Sequence, residues 1–225
     1  MNKTIIKLTI SIGTLFSILA CTGLGVTIYS VLEFYTKFTT WPPEIRNDLR
    51  LAVKCKNVND IHKSEQAFRK ALEKSQGLPE DQFKPTKLLA ITGIQISLAS
   101  LFEQTDPSLS INELKVAFET LLKHKNTLNS SELHRAIAIS QKIGDLSFKS
   151  GNLTNAEHYY QWGVESMLKI GLDNTHKSTP NVDKDNYQNQ VLVYDLNLPN
   201  WVSRSDLGAS LERLGALFAQ RGEPK

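Results

Sequence analysis

The sequence has little of several things. It holds two cysteines in 225 residues, one in an apolar stretch (Cys21) and one far from it (Cys55). That excludes a disulfide-built domain and leaves Cys55 as a small apolar residue for a core. Charge of one sign is also missing. Lys and Arg number 26 against 23 Asp and Glu, a net +3 of which Lys3 and Lys7 supply two. No basic field marks a nucleic-acid partner. There is no glycine loop with lysine for phosphate, no HExxH, no GxSxG and no CxxC pair. His62, His124, His134, His158 and His176 stand apart, none with a metal-ligand neighbour at helical spacing. Catalytic, cofactor-binding and metal sites are therefore expected to be none, and no small-molecule substrate is expected.

What is present begins with an uncharged run, Leu8–Leu32. About 20 apolar residues cross a bilayer core, so residues 8–32 are expected to form a single transmembrane helix after a short segment, 1–7. The run outlasts the apolar core of a cleaved signal peptide, which is roughly 7–15 residues. It also continues past Ile18-Leu19-Ala20-Cys21, a loose lipobox. Lys3 and Lys7 precede it and Phe34, Tyr35, Phe38 and Trp41 follow, which suits a basic inner flank and an aromatic outer interface. Residues 33–42 read as a juxtamembrane linker.

The rest alternates helices and turns. Between Ile143 and Gly163 lie Gly144, Gly151, Ala156, Tyr160 and Gly163. That is the small, glycine, small, aromatic, small spacing of a tetratricopeptide (TPR) helical hairpin. Ala52, Ser64, Phe68 and Ala71 repeat it; Ala99, Leu114, Phe118 and Leu121 repeat it with three residues added at the turn. Leu214, Gly215, Phe218 and Gly222 match the first half of a fourth unit. The fold class is therefore all-α: a transmembrane helix, then a TPR-like α-solenoid of about three and a half hairpins. Repeats one to three occupy 43–171, a polar loop 172–200, and the first helix of an incomplete fourth repeat 201–225. The small residues recur about every 45 residues, then after about 70, against 34 in a plain array. That spacing belongs to a divergent subfamily.

Helix boundaries follow from caps and breakers. Helices are expected at about 43–56, 60–75, 86–104, 110–123, 130–150, 154–170 and 204–221. Ser110 with Glu113, Thr154 with Glu157 and Ser203 with Asp206 read as capping pairs. First helices of stacked hairpins line a concave groove. By repeat position it takes Arg46, Leu49, Val53, Lys56 and Asn57 from the first hairpin. The second gives Ile96, Ser100 and Gln104, and the third Gln141, Asp145, Phe148 and Lys149. The set is mixed in character, which suits promiscuous recognition of polypeptide segments. The competing reading of each is packing between repeats. Asn129-Ser130-Ser131 and Asn152-Leu153-Thr154 are glycosylation sequons.

Five segments in order carry a resemblance: WPPEIRNDLRLAV, SEQAFRKALE, LLAITGIQISLASLFE, IGDLSFKSGNLTNAEHYY and LPNWVSRSDLGASLERLGALFAQRG. Together they resemble the fungal mitochondrial inner-membrane TPR proteins that act as adaptors of the i-AAA protease. The resemblance runs from about Trp41 to Gly222. It implies a single-pass protein with its N-terminus in the matrix and its repeats in the intermembrane space. It implies a non-enzymatic protein that binds unfolded or misfolded membrane-protein segments and delivers them to a membrane-bound AAA protease. The family carries a longer presequence and a longer C-terminal end; with neither here, the last helix is expected to expose apolar surface or fray. Two alternatives stay open: a respiratory-complex assembly factor, and an anchored TPR scaffold outside mitochondria.

Overall fold

The computed structural model describes residues 41–178 and 197–222. Every regular element among them is helical. In chain order they are α1 (Pro43–Asn57), α2 (Ile61–Gly77), a 3-10 turn (Glu80–Gln82), α3 (Lys87–Phe102), α4 (Pro107–Leu122), α5 (Ser130–Lys149), α6 (Leu153–Ser178) and α7 (Arg204–Arg221). The expected span at 8–32 lies outside the described residues, as does the linker to residue 40. Among the described residues no helix is long and apolar enough to cross a membrane.

Starts are set locally. Asp60, Thr86, Asp106 and Asn129 each accept a backbone N–H from their own first turn. Pro43 and Pro107 sit at first helical positions, where a missing N–H costs nothing. Asn129 with Glu132 and Ser203 with Asp206 form reciprocal capping boxes. Gly151, at φ 76°, takes the left-handed conformation that turns α5 into α6.

Two expected caps are corrected. The fourth helix begins at Pro107 under Asp106, so Ser110 is a buried helical residue rather than a cap. Glu113 turns to Arg69 of α2 instead, at 2.8 Å. The sixth helix begins at Leu153 with Asn152 accepting from the Asn155 N–H at 3.1 Å. Thr154 and Glu157 both face Arg221 of α7. A third difference is length: α6 continues to Ser178 rather than ending near Ile170, and so takes in the start of the expected polar loop. The sequence offers no proline before Pro180 to stop the helix. Residues 179–196 of the expected polar loop lie outside the described residues.

Each helix packs mainly on its chain neighbours, most extensively within the pairs α1/α2, α3/α4 and α5/α6. The core is passed along the array. Ile45, Leu49, Phe68, Ile94 and Leu98 join the first pair to α3. Ala99, Phe118, Ile139, Ile143 and Tyr159 join the second pair to the third. Met167, Val202 and Leu207 tie α6 to α7, as do Ala156, Tyr160, Leu217 and Phe218. α3 sits between the first and third pairs, which is why its sequence lacks a polar face.

Candidate functional site

The spacing of small and aromatic residues becomes geometry at Gly144. A Cβ there would meet the Tyr160 ring at 2.5 Å, so only glycine lets α6 lie this close to α5. At Gly163 the corresponding Cβ would stand 3.0 Å from Ser140 Oγ. In the first pair the buried Ser64 donates its hydroxyl to the Ala52 carbonyl at 2.8 Å. The Tyr160 hydroxyl donates to Asp145 at 2.8 Å. Burial, then that bond, raise the phenol well above its ordinary value.

Side chains of successive first helices meet across the array. Lys56 of α1 donates to Ser100 of α3 at 2.6 Å. Arg135 of α5 donates to the Leu89 carbonyl and, at 3.3 Å, to the Thr92 hydroxyl of α3. Lys142 pairs with Glu103, and the Thr86 hydroxyl donates to the buried Glu132 at 2.7 Å. Gln141 donates to Ser210 of α7 at 2.6 Å, and Arg213 lies 3.4 Å from Asp145.

Two clefts open between these ties. The first, about 280 Å³, is lined by Trp41, Arg46, Leu49, Val53, Phe68, Gly93, Ile94 and Ser97. It is almost wholly apolar. The second, about 220 Å³, is lined by His134, Ile137, Ala138, Gln141, Met167, Trp201, Val202, Asp206, Ala209 and Arg213. His134 lies 5.6 Å from the Trp201 ring there. Asp206 is held below the ordinary carboxylate range by its bonds from Ser203. Counted back from Ala52, Ala99, Gly144 and Gly215, the residues Arg46, Gly93, Ala138 and Ala209 hold one repeat position, and each lines a cleft. The two clefts therefore share one repeat register, with the Arg135 and Lys142 ties to α3 between them.

The expected groove residues divide accordingly. Arg46, Leu49 and Val53 line the first cleft and Gln141 the second. Lys56 and Ser100 bond to each other beyond the first cleft. Asp145 is taken up by Tyr160 and Arg213, so it positions helices. Ile96 packs into the core between the second and third pairs, and Phe148 packs against the Tyr160–Phe218 cluster. Asn57, Gln104 and Lys149 are exposed at or beyond helix ends. Trp41, Gly93, Ser97, Arg135, Trp201 and Arg213 were not anticipated. Carrying the repeat position of Arg46 forward to Gly93 and Ala138 would have found part of the set.

Among the described residues no three metal-ligating groups gather at one point. His62 bonds to Gln66, His124 to the Thr120 carbonyl, and His158 stands against the Tyr159 ring. The His176 side chain lies outside the described residues.

No family model matches the chain, and no curated protein matches it. Among solved structures it is similar to the crystal structure of BtubC (BKLC) from P. vanneervenii, at 17% identity and a TM-score of 0.43, covering 91% of this chain and 83% of that one.

Proposed function

We propose that the chain is a membrane-anchored, non-enzymatic adaptor built from TPR-like hairpins. It binds unfolded or misfolded membrane-protein segments and delivers them to the mitochondrial i-AAA protease. One observation carries the binding half: first helices of successive pairs leave two clefts in one repeat register, large enough for side chains of an extended polypeptide. The partner and the compartment rest on the ordered segments from Trp41 to Gly222 and on the uncharged stretch 8–32. In this reading the anchor crosses the inner membrane once and the helical array stands in the intermembrane space.

A C-terminal tag tests the topology. It is expected to resist protease in intact mitochondria and to be cut once the outer membrane is opened. Absence of the tagged chain from mitochondria overturns the localisation. Purification of the membrane complex is then expected to retain an ATP-dependent protease subunit, and deletion to slow turnover of misfolded membrane proteins. Selective loss of one respiratory complex, with that turnover intact, overturns the adaptor reading in favour of an assembly factor.

A further inference from the structure

The wall beside the first cleft holds a cation with no acid in contact among the described residues. Arg135 is half-buried, and its guanidinium donates to two neutral oxygens, the Leu89 carbonyl and the Thr92 hydroxyl. Glu132, one turn earlier, has one oxygen on the Thr86 hydroxyl and the other on the Asn129 N–H. Of the other cations on this face, Lys142 pairs with Glu103 and Arg213 with Asp145, Lys56 donates to the Ser100 hydroxyl, and Arg46 in the cleft wall donates to the Trp41 carbonyl. Burial accordingly lowers the Arg135 pKa, and the more distant charge of Glu132 offsets this only in part.

Gly93 connects this charge to the cleft. It lines the apolar cavity, and a Cβ on it would stand 3.5 Å from Arg135 Nη1. The guanidinium therefore reaches the cavity's edge over a residue without a side chain. Inside, Leu49, Phe68 and Ile94 are buried, and Val53 at the mouth is 42% exposed. Apolar walls with an unmatched positive charge at one side define a complementary occupant. It carries an apolar side chain for the cavity and a carboxylate for the guanidinium, which can hold it through two parallel N–H donors. In an extended segment, side chains two residues apart point the same way, about 7 Å apart.

We propose that this cleft binds an extended polypeptide through an apolar side chain, and that Arg135 selects an aspartate or glutamate two residues from it. The proposal rests on reading the first-helix face as a peptide groove, and adds a sequence preference to it.

The test uses the full chain in uncharged lipid nanodiscs and short labelled peptides of serine and glycine carrying Leu-Ser-Glu. Control peptides replace the glutamate by glutamine or lysine, or the leucine by serine. The Leu-Ser-Glu peptide is expected to bind about ten-fold tighter than its glutamine form, equal to about 1.4 kcal/mol, with lysine weaker still. Arg135→Gln is expected to remove the glutamate–glutamine difference while leaving the glutamine peptide's affinity in place. Gly93→Val is expected to weaken every leucine-bearing peptide. With the wild-type chain alone, high salt is expected to shrink the glutamate preference and to spare the glutamine peptide. Equal binding of the three charge forms overturns the proposal and leaves the groove intact. A glutamate preference that survives Arg135→Gln also overturns it. Failure of every peptide to bind overturns the groove reading itself.

Discussion

Two glycines in equivalent repeat positions are expected to answer the same substitution with opposite signs. Gly144→Ala drives a methyl into the Tyr160 ring, and overpacking of that kind costs typically about 1–3 kcal/mol. Gly215 has nothing within 4 Å of its Cβ direction. There alanine gains helix propensity without a clash, roughly 0.5–1 kcal/mol in favour of folding. Denaturant midpoints of the two variants check the pair. Tyr160 itself gives a pH signature. Its folded phenol is raised above the ordinary 10.0, so the folded state keeps a proton that the unfolded state releases. The stability this contributes is complete below about pH 10 and declines as pH rises further. Tyr160→Phe is expected to lose about 1 kcal/mol at neutral pH from the missing hydrogen bond. It is also expected to soften the alkaline decline, read as unfolding midpoints from about pH 8 to about pH 11.

At the scale of the helix, local signals competed with distant partners. The capping motif at Ser203–Asp206 was legible because its bonds close within one turn. Ser110–Glu113 and Thr154–Glu157 have the same letters, but Arg69 and Arg221 reach their acids from other helices. A motif of four residues contains no record of an arginine far along the chain. The cleft was half legible for a similar reason. Arg46, Leu49 and Val53 share one face of α1, whereas Phe68 and Gly93 arrive from helices the face does not name. The small–aromatic spacing was legible at Ala52–Ser64 and Gly144–Tyr160, because close approach of two helices leaves few residue types that fit, whereas Gly215 meets no such neighbour. Arg221 also gives the element-scale prediction. Its guanidinium joins α7 to Glu157 and Thr154 of α6. Arg221→Ala is expected to reduce hydrogen-exchange protection across 204–221 while leaving 43–122 unchanged. Equal loss in both regions would contradict that local role.

At the scale of the molecule, packing between chain neighbours makes stability a sum of local terms. Phe68 is buried between α1, α2 and α3, and Phe68→Ala is expected to cost about 3–5 kcal/mol there. Hydrogen exchange is expected to show 43–102 opening first, with 130–174 still protected. Loss of protection in one step along the whole array would show a single cooperative unit instead. The all-helical order was legible at this scale from periodicity and caps. The reach of α6 was not, because a polar last stretch reads like a loop when no breaker marks its end.

The contact between Gly144 and Tyr160 has a consequence in inheritance. Two positions that share one space cannot vary independently. A methyl at residue 144 becomes tolerable only when the ring at residue 160 shrinks. Gly144→Ala with Tyr160→Leu is therefore expected to cost less than the sum of the two single changes. In diverged descendants of this sequence, a larger residue at the first position should arrive with a smaller one at the second.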